Sequence, residues 1–225
     1  MSSTVQEQAM DSAPGHSADY ARHFEAYRSI LNTCVRHSLE MFKLSRDGVI
    51  VDLGCGFGDD VRRLQEQGHR QVIGVEADRY CVQKRGDLDI RRGTMSDTGL
   101  PSGLADAVVV NNVFHHVQEY DTALSEIARI LKPEGTLSFI EPRNSVWRRG
   151  LDALTFSTPL PKLGGPLGMR HRVMSEEVRT GLYPQWLRSH AEFFALLERK
   201  FQMTWLRRDL FFFMGHARRG GTDAR

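Results

Sequence analysis

The sequence predicts an α/β domain, a mostly parallel sheet with helices on both faces. Three observations predict it. Short β-branched runs alternate with amphipathic stretches between Val49 and Ile140. A glycine-rich turn follows the first of these runs, at Gly54, Gly56 and Gly58. An acid, Glu76, closes the second run about 20 residues further on, a spacing that suits the ribose of a bound nucleoside.

The elements follow in order. Apolar side chains at Tyr20, Phe24, Tyr27, Leu31, Val35, Leu39 and Phe42 recur in steps of three and four and mark an amphipathic helix over 19–44. Val49–Leu53 is a short apolar run ending in glycines, a buried strand. Asp59–Gln67 reads as a helix stopped near Gly68. Gln71–Val75 is a second strand, followed by a helix near Arg79–Lys84 and a third strand near Leu88–Arg91. Ala107–Asn111 is continuous and β-branched, as a strand buried on both faces should be. Asp121–Leu131 is a helix that Lys132, Pro133 and Gly135 end, and Thr136–Ile140 is the next strand. Residues 142–188 break the rhythm with Pro142, Pro159, Pro161, Pro166 and Pro184. That length is too great for a plain connection; it reads as a substrate-side insertion with short helices. Ser189–Phe201 is a helix. Met203–Leu206 and Leu210–His216 close the chain as a strand pair, turning through Arg207–Asp209.

Composition sets the class. The 225 residues are 40% hydrophobic and 26% charged, enough apolar content for a core without disulfides. Cys34, Cys55 and Cys81 fit no zinc spacing and read as free thiols of a reducing compartment. Residues 1–18 are polar, with no apolar stretch of a secretory leader, and read as a disordered tail ahead of a domain over 19–225. No apolar run approaches the roughly 20 residues of a membrane span. The expectation is a cytoplasmic protein. The net charge of +2 divides into 15 basic against 21 acidic residues over 1–141, and 15 against 7 over 142–225. The basic C-terminal third points to an anionic acceptor or a peripheral membrane contact, with a solvated basic face as the alternative.

The glycine turn runs Asp52-Leu53-Gly54-Cys55-Gly56-Phe57-Gly58-Asp59. Glycines let the chain bend sharply and let a ligand lie against it. Dinucleotide enzymes use a different spacing, with a third glycine where Asp59 stands here. Asp59 and Asp60 place two negative charges at the helix start, which disfavours a pyrophosphate. A nucleoside of little negative charge fits better, and this opposes a nicotinamide-dependent oxidoreductase. S-adenosyl-L-methionine, with its sulfonium and ammonium, is such a molecule. Asp52 is placed to hold the ammonium, and Glu76, with Ala77 beside it, to accept from the ribose hydroxyls.

Four stretches, VIVDLGCGFGDD, VIGVEAD, LADAVVVNNVFHHV and LSEIARILKPEGTLSFIEP, keep their order from Val49 to Pro142. Together they resemble the class I S-adenosylmethionine-dependent methyltransferases of the small-molecule type. The resemblance implies a Rossmann-like sheet of seven strands, the last antiparallel. It implies that Gly54, Cys55, Gly56 and Gly58 face the methionine part, that Glu76 binds ribose, and that Asn111 approaches the ammonium through its backbone. It also implies a lid role for the 19–44 helix, with Tyr20 touching the cofactor. Relatives often carry Gly-Asp-Ala after the third strand. Here Gly93-Thr94-Met95 stands instead, leaving Thr94, Met95 or Asp97 as the adenine contacts.

Methyl transfer from a sulfonium is an in-line displacement; a base helps when the acceptor is a hydroxyl and is not needed for a carboxylate or a neutral amine. His116 and His115 follow the fourth strand and Glu141 ends the fifth, so these are the candidate catalytic groups; the alternatives are histidines that orient or pack under the loop and a structural strand-end acid before Pro142. Arg170, His171 and Arg172 are candidates for gripping an anionic acceptor, with exposed charges on a loop as the alternative. Trp147 and Trp186 are candidates for a pocket wall. The run Asn111-Asn112-Val113-Phe114 lacks the proline pair typical of enzymes that methylate base amines, so a nucleic-acid acceptor is disfavoured. The expected function is methyl transfer to a small or medium organic acceptor, at oxygen: a sugar, a lipid-linked glycan or a secondary metabolite. The alternative is a non-catalytic S-adenosylmethionine-binding partner or sensor.

Overall fold

The computed structural model describes residues 44–84 and 86–220. The expected tail, the 19–44 helix, Tyr20 and Cys34 lie outside the described residues. The described chain divides into two compact units. One comprises 44–143 with 182–220, and the other is Asn144–Gly181.

The larger unit is built on a seven-stranded sheet in the order β3-β2-β1-β4-β5-β7-β6. Its strands are β1 (Val49–Leu53), β2 (Gln71–Glu76), β3 (Ile90–Arg92), β4 (Ala105–Asn111), β5 (Leu131–Pro142), β6 (Phe201–Arg208) and β7 (Phe212–Arg219). The pairs β1–β2, β1–β4, β2–β3 and β4–β5 are parallel, and β7 runs antiparallel to β5 and β6. The helices are α1 (Asp59–Glu66), α2 (Arg79–Lys84), α3 (Tyr120–Ile130), α6 (Leu182–Arg188) and α7 (His190–Lys200), with α4 (Val146–Phe156) and α5 (Gly165–Thr180) in the smaller unit.

Alternation along the central strands builds the core. Val51 and Leu53, Val108 and Val110, and Leu137 and Phe139 share one sheet face and are buried together with Tyr120, Leu124 and Ile127 of α3 and Phe193 and Leu197 of α7. Ile50, Val109 and Ile140 point to the opposite face and are buried as well, which is why these strands read as unbroken apolar runs. Trp186 is fully buried, packs against Tyr120 and Phe193, and donates its indole N–H to Pro142 O at 2.7 Å. It is a core anchor, not a pocket wall.

Three boundaries differ from expectation for physical reasons. β5 starts at Leu131 because that residue leaves α3 in extended conformation and pairs with Ala105. The next partners are Ala107 and Thr136, so Lys132–Gly135 bulge out of register, and Pro133 sits where no ladder hydrogen bond is needed. The closing turn lies at Asp209–Phe211, where Asp209 N donates to Phe212 O at 2.9 Å. In the smaller unit the expected short helices include one of 16 residues, α5. Pro166 occupies its first turn, where a missing N–H costs nothing, and Gly181 ends it in left-handed conformation.

One structural carboxylate lies away from the strand ends. Glu126 of α3 accepts from Thr98 N and Oγ1, at 2.8 and 2.6 Å, and from Arg129 Nε at 2.7 Å. Burial opposes its charge, but the hydrogen bonds of Arg129 and Thr98 outweigh burial and hold its pKa at about 2.

Candidate functional site

The C-terminal ends of β1, β2, β4 and β5 bring the sequence-predicted residues of the larger unit to one edge. At β1 the chain turns at once: Gly54 N and Cys55 N both donate to Val75 O, at 2.8 and 3.2 Å. Gly54, Gly56 and Gly58 adopt φ of 70°, 55° and 76°, values that side chains with a Cβ rarely take. Space is equally exacting. A Cβ on Gly54 would lie 2.5 Å from Val113 Cγ2, and one on Gly58 2.6 Å from Leu88 Cδ1. Cys55 is buried with its thiol 3.8 Å from Gly56 O, so the turn can offer a ligand only its backbone at that position. Asp52, the last but one residue of β1, is 1% exposed.

Glu76 closes the turn from β2. Its Oε2 accepts from Gly56 N at 2.7 Å and its Oε1 from Asp78 N at 2.9 Å. Each carboxylate oxygen has two lone pairs, so this bracing leaves one on each for two hydroxyl donors. The diol of a ribose supplies two such donors. The turn and the acid therefore fit the nucleoside half of S-adenosylmethionine. Ala77 sits half-buried beside them.

The β4 end is held from beneath by a residue whose part sequence reasoning missed. Asp60, in the first turn of α1, is fully buried. It accepts from Asn111 Nδ2 at 2.8 Å and from Arg63 Nη1 at 3.1 Å. Asn111 Oδ1 in turn accepts from Asn112 Nδ2 at 2.8 Å, and Asn112 is in left-handed conformation at φ 58°. The Asn-Asn pair was a readable signal, since asparagine tolerates that region.

At the β5 end, Glu141 is 0% exposed. Its Oε1 accepts from Val113 N and Phe114 N at 2.6 and 2.7 Å, and its Oε2 lies 2.9 Å from His115 Nδ1. A carboxylate so enclosed braces the loop after β4. His115 is also buried, with Tyr183 of α6 edge-on at 6.1 Å. His116 stacks on it at 4.2 Å and is exposed. Of the three candidates, only His116 presents its ring to solvent.

The adenine candidates are not free for a ligand to the same degree. Met95 belongs to the hydrophobic core, and Thr94 Oγ1 accepts from Asp97 N at 3.0 Å and Ser96 N at 3.3 Å within its own turn. Asp97 is exposed and accepts from Gly99 N at 3.3 Å. In the smaller unit, Arg170 is 4% exposed. Its guanidinium is taken up by Asp152 and Thr155 and lies 5.5 Å over the Phe156 ring. It ties α5 to α4. His171 packs against the same Phe156 ring, at 5.7 Å, while Arg172 is exposed. Trp147 is 60% exposed.

Comparison with known proteins completes the picture. Residues 51–139 match the family model of a methyltransferase domain. That stretch carries a methyltransferase domain similar to those of the class I S-adenosylmethionine-dependent methyltransferases. An uncharacterized methyltransferase of Anoxybacillus flavithermus is 28% identical over 133 residues, 56% of this chain and 58% of that protein. A dimethylglycine N-methyltransferase of Parasynechococcus marenigrum is 27% identical over 176 residues, 72% of this chain and 62% of that one. The methyltransferase fold is shared with the geranyl diphosphate C-methyltransferase of Streptomyces coelicolor, solved with S-adenosyl-L-homocysteine, at TM-score 0.59 and 14% identity over 94% of this chain and 87% of that one. The chain spans about half to three-fifths of the first curated relatives it matches. No helix among the described residues is long and apolar enough to cross a membrane.

Proposed function

We propose that the protein transfers a methyl group from S-adenosylmethionine to a small or medium organic acceptor, at an oxygen atom. The observation that carries the reading is the Gly54–Gly58 turn locked to Glu76, with room on that carboxylate for both ribose hydroxyls. Asp52 supports it as the partner of the cofactor ammonium, and the Asn111 backbone as a second contact.

When bound, S-adenosylmethionine supplies an electrophilic methyl on a leaving group that is already activated. The protein's own task is then alignment. Glu141 fixes the loop Val113–His116 by two backbone hydrogen bonds and fixes the ring of His115 by a third. His116, exposed and stacked on that anchored ring, is the group placed to take the proton of an acceptor hydroxyl. A hydroxyl acceptor is favoured because it uses such a base, whereas a carboxylate or a neutral amine does not. Two of the proteins named above carry nitrogen and carbon in their names as the methylated atom, so the acceptor atom is this chain's own question.

The test has two arms. Calorimetry with S-adenosylhomocysteine should show binding that Glu76→Ala weakens by about a hundredfold, the loss of charge-assisted bonds to both hydroxyls. An acceptor screen with methyl-labelled cofactor should give label transfer to a hydroxyl compound, slowed by His116→Asn. Unchanged affinity in Glu76→Ala would sink the cofactor reading. Transfer indifferent to His116 would remove the base.

A further inference from the structure

Asp60 is a fully buried carboxylate that neither the glycine turn nor the proposed chemistry uses. We infer that Asp60 is a positioning residue for S-adenosylmethionine, locking the two halves of its site together through the side chain of Asn111. The inference rests on the cofactor reading above and deepens it.

The two halves come from different parts of the chain. One is the turn leading into α1, and the other is the end of β4, 51 residues later. Asp60 stands one residue inside α1, directly after Gly58 and Asp59. Its Oδ2 accepts from Asn111 Nδ2 at 2.8 Å, and its Oδ1 from Arg63 Nη1 at 3.1 Å. Arg63, one turn further along α1, stands over the opposite oxygen and balances the buried charge. The bond to Asn111 then passes to Asn112, whose left-handed backbone turns the chain after β4. Asn112 N donates to Ile140 O at 2.8 Å, which ties the same turn to β5. The series Arg63–Asp60–Asn111–Asn112 thus fixes where the last backbone carbonyl of β4 lies relative to the glycine turn. A ligand gripped by both needs that spacing, and a charged acceptor in a dry setting holds an amide more firmly than water would.

The experiment measures the affinity for S-adenosylhomocysteine by calorimetry, well below the melting point of each variant, for the full chain. Asp60→Ala and Asn111→Ala should each weaken binding by about tenfold, the loss of one hydrogen bond to a charged group. The double variant should be no more than about threefold weaker than the worse single one, because both remove the same link. Asp60→Asn keeps an acceptor for Asn111 and should stay within about threefold of the parent. The side-chain amide resonance of Asn111 should move in Asp60→Ala and hold in Asp60→Asn. Full affinity in Asn111→Ala, or strictly additive losses, would overturn the inference while leaving the cofactor reading intact. If Asp60→Ala does not fold, Asp60→Asn and Asn111→Ala decide by the same criteria. A parent protein that ignores the ligand at millimolar concentration overturns both.

Discussion

The β1–β2 end and the β4–β5 end of the same sheet edge are built by opposite means. At β1–β2 the geometry is mostly main chain: three glycines at positive φ, two amides converging on Val75 O, and one acid 20 residues away bonding Gly56 N. At β4–β5 the geometry is mostly side chain and non-local, with Glu141 reaching residues 26 to 28 positions earlier. The first end can hold the part of a ligand that never varies. The second is set by side-chain hydrogen bonds closed between distant segments.

That contrast can be broken or sharpened by experiment. The largest effect is expected from Glu141→Ala, which strands the amides of Val113 and Phe114 and should lower unfolding free energy by about 4 kcal/mol in urea titration. Glu141→Gln keeps an acceptor and should recover more than half of it. Equal losses in the two would show that the brace is not made by hydrogen bonds. Gly54→Ala should cost about 3 kcal/mol, combining backbone strain at positive φ with the Val113 clash. It should also abolish S-adenosylhomocysteine binding, whereas Glu141→Gln should not.

A third expectation concerns acid. Glu126 titrates at about 2 in the folded protein against an ordinary 4.5, chiefly because Arg129 and Thr98 bond its charged form against the cost of burial. Its contribution is therefore complete above pH 4.5 and is lost as pH falls through that value toward 2, at most about 3 kcal/mol in total. Glu126→Gln should flatten that part of the stability profile. If the slope persists unchanged, Glu126 is not its source. The smallest effect is expected from His116→Ala. The ring is exposed, so stability should change by less than about 0.5 kcal/mol and cofactor affinity not at all. A tenfold loss of affinity would move His116 from the acceptor side to the cofactor side.

Much of this was legible in the residues. The β1 strand and the glycine turn were readable because local periodicity and glycine spacing dictate them. Glu76 was readable because its distance from the turn follows from one strand, one helix and one strand. The role of Glu141 stayed open between a catalytic group and a structural acid, because a strand-end acid looks the same whether it faces solvent or is enclosed by a loop 28 residues earlier. The basic triplet of Arg170, His171 and Arg172 stayed open likewise: it contains a buried ion pair to Asp152 and an exposed arginine, and only packing separates them. The length of α5 escaped because its prolines cluster at the one end of a helix that tolerates them.

By itself the sequence determined the order of strands and helices, the sharp bend after β1 and the acid that answers it, since backbone sterics and short-range spacing leave few alternatives. Only the tertiary structure decided which carboxylates are braces and which histidine meets solvent. Those properties depend on burial and on hydrogen bonds closed across the sheet, and neither exists until distant segments have packed together.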